Sequence, residues 1–448
     1  MNVKRLKVGF LCLTVLGCGP LWSQVVPSAT GGAYPPNDDL KMSIPPALNG
    51  AAYPTKVGSE VRSNYIQAGL GFTAAYTDNL MNIQSTHEVS DEIFSILPSI
   101  GLDRKTPRQT QELHYGGGFS FYNHTTDLND VTQNATADYE LNLSRYATIS
   151  LRDTFNQNSN SFNQTAPLTG GGGISGSPQS PSNVLVVPFL NQLTNYVSGG
   201  FAYQFARNAM IGGSGSYGLL HYENPGSVEG LTNSDEIGAS AFFSRRLSRA
   251  QYLGGEYAYS RFSTHPIDST TDTNAIFFFY SVYLSKELSL TVMAGPQYFN
   301  ASQPPFPSTS GWTPAVSASA GWQSARTNLA GSYSRIVFSG GGLPGAYYSN
   351  EAAASLRRLV TRSWSFGVNG NYSNLRTATP IYTTSNQGGH TWSGTASIQY
   401  RISESLNSEL GYGHFYQNYN VVQSVSNFPN SNRVFGSINY QLTRPLGR

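Results

Sequence analysis

At 448 residues the chain is long enough for two or three soluble domains, but charged residues make up only 12% of it, against roughly 25% in soluble globular chains. Mean hydropathy is still negative at -0.29, and after residue 24 no apolar run approaches the roughly 18 residues of a membrane-spanning helix. The net charge of +2, with no basic run interleaved with aromatics, excludes a nucleic-acid partner.

Residues 1–23 predict a secretory leader. Lys4, Arg5 and Lys7 precede the apolar run Val8 to Leu16, and small residues follow. Cleavage is expected between Ser23 and Gln24. The competing reading is a degraded lipoprotein signal, Val15-Leu16-Gly17-Cys18, which would lipidate Cys18. Both cysteines, Cys12 and Cys18, lie in the leader, so the mature chain has no thiol for a disulfide, metal site or nucleophile, or only a lipidated one. Residues 24–60, with Tyr34-Pro35-Pro36, Ile44-Pro45-Pro46 and Tyr53-Pro54, lack periodicity and predict a Pro-rich periplasmic lead-in.

From there to residue 443 a two-residue period predicts all-β structure. Ile66, Ala68, Leu70, Phe72 and Ala74 share one face of the first strand, and Gln67, Gly69, Gly71 and Thr73 share the other. The second strand sets out Phe94, Ile96, Ile100 and Leu102, the third Leu113, Tyr115, Phe119 and Phe121, and the fourth Ala137, Tyr139, Leu141 and Leu143. Each opposite face is polar or small, so the neighbour of the apolar face is lipid and not a protein core. Short turns such as Leu143-Ser144-Arg145-Tyr146, Arg246-Leu247-Ser248-Arg249 and Ile402-Ser403-Glu404-Ser405 alternate with long loops rich in Gly, Pro, Asn, Ser and Thr. This pattern predicts one transmembrane antiparallel β-barrel of about eighteen strands, wide enough for an aqueous channel. The turns are then periplasmic and the long loops extracellular, the largest running over 156–191 with Gly170 to Gly173 inside it. Pro445 is expected to end the last strand and leave 444–448 as a tail.

Tyr76-Thr77-Asp78-Asn79 after the first strand, Leu97-Pro98-Ser99-Ile100-Gly101-Leu102 in the second and the recurring Leu-Ser-Arg turns carry a resemblance. The chain resembles the outer-membrane β-barrel porins associated with exopolysaccharide export, of the β-barrel porin 2 type. The resemblance implies a conduit or accessory barrel for secreted polysaccharide and brings no catalytic residue with it.

Strand parity leaves few charges facing the lumen: Glu112, Asp138, Glu140, Arg152, Glu256, Arg401 and Glu409. Glu140 and Arg152 flank the turn at Arg145 and are expected to pair, either as a structural ion pair or as part of a charge-selective constriction. Neutral positions such as Ser317, Ser319, Asn369, Ser397 and Gln399 suit hydroxyl-rich sugars and equally any water-filled barrel. Phe277, Phe279 and Tyr283 could stack on sugar rings or pack against an inserted loop. Of the histidines only His114 points inward, and His414 is expected to face lipid. No motif joins a nucleophile to a base, so no enzyme activity is expected. Asp127 with Asp130 and Asp268 with Asp272 lack the ligand spacing of a calcium loop, so no metal or cofactor is expected. The expected partners are outer-membrane lipid and lipopolysaccharide, with polysaccharide and periplasmic export machinery if polymer passes. A diffusion porin and a non-conducting display or assembly barrel are the alternatives.

Overall fold

The computed structural model describes Met42 and residues 64–80, 89–158, 190–223, 231–378 except 267, 286, 306, 340–342 and 344, then 388–419 and 427–446. The leader, most of the lead-in and most of the 156–191 loop lie outside the described residues. The first nine strands are β1 (Tyr65–Thr77), β2 (Asp91–Lys105), β3 (Gln109–Tyr122), β4 (Asp130–Asn142), β5 (Ala147–Asn158), β6 (Gln192–Ala206), β7 (Ala209–Tyr222), β8 (Asn233–Ser248) and β9 (Gln251–His265). The second nine are β10 (Ser269–Tyr283), β11 (Leu288–Ser302), β12 (Thr309–Gln323), β13 (Thr327–Ser339), β14 (Ala346–Leu359), β15 (Trp364–Thr377), β16 (Gly388–Arg401), β17 (Leu406–Tyr419) and β18 (Asn427–Pro445). Together they form one closed, 18-stranded antiparallel sheet, in which β1 pairs with both β2 and β18. Closure removes the sheet edge, which a bilayer could not hydrogen-bond.

The period-two pattern reads directly onto the wall. Ile66, Phe72, Phe94, Ile100, Phe119, Leu151, Phe278 and Ile398 are exposed on the outer face, where lipid replaces water. On the inner face hydroxyls and amides pair across strands, as in Ser95 with Ser120 at 2.8 Å, Ser260 with Thr273 at 2.6 Å, and Thr395 donating to Asn369 at 2.6 Å. Aromatic pairs mark both membrane interfaces. Trp364 and Tyr400 stack 4.6 Å apart beside the short turns, and Tyr298 and Trp312 lie 5.2 Å apart toward the other end. Also outside and toward that end, Tyr257 donates to Asn274, Tyr259 to Asp272 and Tyr412 to Asn432, which gives the rim a polar belt.

The last strand ends at Pro445, but residues 444 and 445 are paired and do not belong to a tail. Pairing does not stop before Pro445, since Tyr65 lies opposite Pro445 and the Leu446 N–H donates to the Asn64 carbonyl at 2.7 Å. Pairing of β18 with β17 runs only as far as Tyr440, so Pro445 occupies a stretch bonded on one side, where a missing N–H costs least.

Chain direction places the turns near Arg145, Asn208, Ser248 and Ser403 at the end where the barrel begins, and Asp127 at the other. Thiol labelling of intact cells is expected to reach Asp127→Cys and to spare Arg145→Cys until the outer membrane is opened. Early labelling at 145 with protection at 127 would invert the topology.

Candidate functional site

The lumen wall near the short turns carries most of the charges that parity selected. One row of register partners runs Tyr65, Asp103, Glu112, Asp138, Arg152 and Ser198 across β1 to β6. The Arg152 Nε donates to Asp138 Oδ1, and Glu140 lies opposite Ser150. The expected Glu140–Arg152 pair therefore does not form. The turn centred on Arg145 sets the register two positions away from it. Elsewhere Glu256 is buried in the wall and bonded to Ser240, Arg401 lies opposite Asn407, and Glu409 lies opposite Gln399.

Inward charges that escaped the sequence reading include Asp103, Lys105, Glu236, Glu351, Arg357 and Arg433. Counting by twos from Ser99, Ser240, Ser355 and Ser437 would have found them. The Arg357 Nη2 donates to Gln399 Oε1 at 3.1 Å and faces Glu409. Guanidinium groups at 357 and 401, with Glu409 beside them, thus occupy one arc of the lumen, and carboxylates at 103, 112 and 138, with Arg152, occupy another.

The feature that most shapes the lumen is the β13–β14 hairpin. β12 and β13 pair only as far as Val316 opposite Arg335. Beyond that point β13 leaves the wall, while β13 and β14 stay paired to Ser339 opposite Ala346. The hairpin tip therefore leans inward as a unit. Leaving the ladder frees the backbone of Val337, and Gln297 on β11 satisfies it. Gln297 Nε2 donates to the Val337 carbonyl at 3.0 Å and Gln297 Oε1 accepts the Val337 N–H at 2.8 Å. A buried primary amide matches a peptide group in both donor and acceptor. Gly345, at φ 101°, turns the chain where a side chain would be strained.

The tip then packs across the lumen. Phe338, Leu343 and Tyr347 join Leu220 and Tyr222 of β7, Phe262 of β9, Leu375 of β15 and Tyr419 of β17 in one buried cluster. These wall residues come from well-separated strands, so the cluster bridges the barrel near its extracellular end. Ile336 covers Phe277, Ala275 and Ala315. Phe277 is thus packed under the inserted tip and is not offered to a sugar ring. Phe279 lies over Gly254, where a Cβ would come within 2.3 Å of the ring. Tyr283 meets Tyr252 edge-on at 6.4 Å.

Near the periplasmic end one lead-in residue touches the inner wall. Met42 is buried among Ala202, Met210 and Tyr252, and its N–H donates to Gln204 Oε1 at 3.0 Å. Sequence gave no sign of this seat, since nothing around Met42 is periodic. His414 faces outward as expected, beside Trp392 at 4.8 Å and 2.8 Å from Asn432 Oδ1.

A closed barrel with an apolar outer belt between aromatic girdles defines an outer-membrane β-barrel, and the chain resides in the outer membrane of a Gram-negative-type bacterium. No family model and no curated relative matches the sequence. Among solved structures, OccK2 (OpdF) of Pseudomonas aeruginosa is 11% identical, with TM-score 0.43 over 86% of this chain and 100% of its own. OpdQ of Pseudomonas aeruginosa is 11% identical, with TM-score 0.40 over 85% and 98%. The FrpB iron transporter of Neisseria meningitidis is 10% identical, with TM-score 0.39 over 85% and 82%. At such distances, what this barrel carries has to be argued from its own lumen.

Proposed function

We propose that the protein is a porin for small polar solutes, in place of the polysaccharide conduit that the sequence resemblance implied. The observation that carries this reading is the inward β13–β14 tip, fixed by Gln297 and by the Phe338–Leu343–Tyr347 cluster. A polymer in transit would have to displace that tip and break an apolar seam spanning the lumen. A small solute needs only the space beside it. The hydroxyl and amide lining exchanges hydrogen bonds with a hydrated solute. The separated arcs around Arg357 with Arg401 and Asp103 with Glu112 and Asp138 favour dipolar solutes. On the outside, the rim Tyr–Asn and Tyr–Asp pairs fit the sugar and phosphate region of lipopolysaccharide.

Deletion of the gene tests the proposal. It is expected to slow entry of small polar solutes and to leave surface polysaccharide at its normal level. Lost surface polymer with periplasmic precursor, at unchanged permeability, would restore the conduit reading.

A further inference from the structure

Asp103, Glu112 and His114 converge on the lumen wall beside the periplasmic mouth. One ligand atom from each lies within 4.8 Å of the other two. The His114 Nε2 is already 3.7 Å from Asp103 Oδ1. Zinc held at about 2.0 to 2.2 Å by nitrogen and oxygen in tetrahedral geometry separates its ligand atoms by roughly 3.4 Å, so this pair stands close to a coordination edge.

Three features make the cluster more than a group of wall acids. First, an imidazole joins two carboxylates, a donor set that suits Zn²⁺ better than the all-oxygen shells of Ca²⁺ or Mg²⁺. Second, His114 lies opposite Gly101, and a Cβ there would come within 2.7 Å of its Nδ1. The glycine lets the ring lie against β2, with Nε2 turned toward Asp103. Third, Asp103, Glu112 and Asp138 are directly opposed in register on three successive strands. Like charges in that position repel, and a cation bound among them would relieve that repulsion. Lys105, two residues along β2, lies on the same inner face.

We propose that Asp103, Glu112 and His114 form a transition-metal site of the Zn²⁺ type on the lumen wall, with a coordination position left open to the channel. Bound Zn²⁺ would place two positive charges at the periplasmic mouth and turn that acidic arc toward anion preference.

The test uses the mature full-length barrel in detergent and in planar bilayers, with Zn²⁺ alone as the probe. Titration calorimetry is expected to give one Zn²⁺ per chain, and Zn²⁺ is expected to shift the reversal potential toward anion selectivity. His114→Ala and Glu112→Gln are each expected to weaken binding more than about tenfold, since even outer-shell changes at metal sites cost 10- to 100-fold. Gly101→Val keeps all three ligands but displaces the ring, and is expected to weaken binding as well. His265 at the other rim, 3.5 Å from Asp235 and 3.4 Å from Asp268, is the control, and His265→Ala should leave the titration unchanged. Equal Zn²⁺ affinity in wild type and His114→Ala would overturn the site. So would equal displacement by Ca²⁺ in the wild-type protein alone, which would mark only a diffuse acidic wall.

Discussion

Replacing Ile398 with Arg is expected to stop the barrel from assembling in the membrane, whereas Ser397→Arg, one residue along the same strand, is expected to be tolerated. Ile398 is 48% exposed on the outer face, and its register partners are Phe366 on β15 and Leu410 on β17. All three are apolar and turned to lipid. An Arg at the bilayer midplane of a barrel costs roughly 2 to 4 kcal/mol, and β16 offers it no carboxylate on that face. Ser397 faces the lumen opposite Gly367 and Gly411, where a guanidinium can extend past the Phe435 ring that lies over Gly411 toward the water-lined side of the wall. Gln399 is a poorer control, because an Arg there would meet Arg357 in place of the amide that accepts its hydrogen bond. The readout is the folded fraction in isolated outer membranes. Equal loss of both variants would mean that the assignment of faces on β16 is wrong.

The second large effect is expected at the constriction. Gln297→Ala removes the group that satisfies both the N–H and the carbonyl of Val337, and a buried polar group left unsatisfied costs about 1 to 3 kcal/mol. Phe338→Ala and Leu343→Ala strip the apolar seam, at about 3 to 5 and about 2 to 5 kcal/mol respectively for well-packed sites. These costs fall on the tip more than on the barrel, because β13 remains bonded to β14 along its length and to β12 up to Arg335. The expected result is a folded barrel with severalfold higher single-channel conductance. Wild-type conductance in the Gln297→Ala, Phe338→Ala double variant would show that the tip does not limit passage.

The barrel was legible because a lipid-facing wall forces strict alternation, and turn chemistry marks the strand ends. Ile66, Phe72 and Phe119 fell on the lipid side as read, and all eighteen strands are present. What alternation could not give was any side chain acting away from its own strand. Gln297 supports a strand two places along the wall, and only the structure shows that β13 departs there. A trace of the departure exists in sequence, because Ile336-Val337-Phe338 sets three apolar residues in a row where alternation allows one in two. Pairing across a hairpin needs the exact register as well as parity, which is why Arg152 was matched with Glu140 and not with Asp138. Arg357 was hidden differently, having the right parity but lying close to the turn between β14 and β15.

Permeability of proteoliposomes to a graded series of neutral sugars tests the proposed porin most directly. With the constriction in place, wild-type barrels should pass monosaccharides well above the rate of empty liposomes and exclude long oligosaccharides, and Gln297→Ala, Phe338→Ala should move the cutoff upward. Long chains crossing wild-type barrels as fast as monosaccharides, or no sugar crossing in either protein, would contradict a small-solute porin gated in size by the β13–β14 tip.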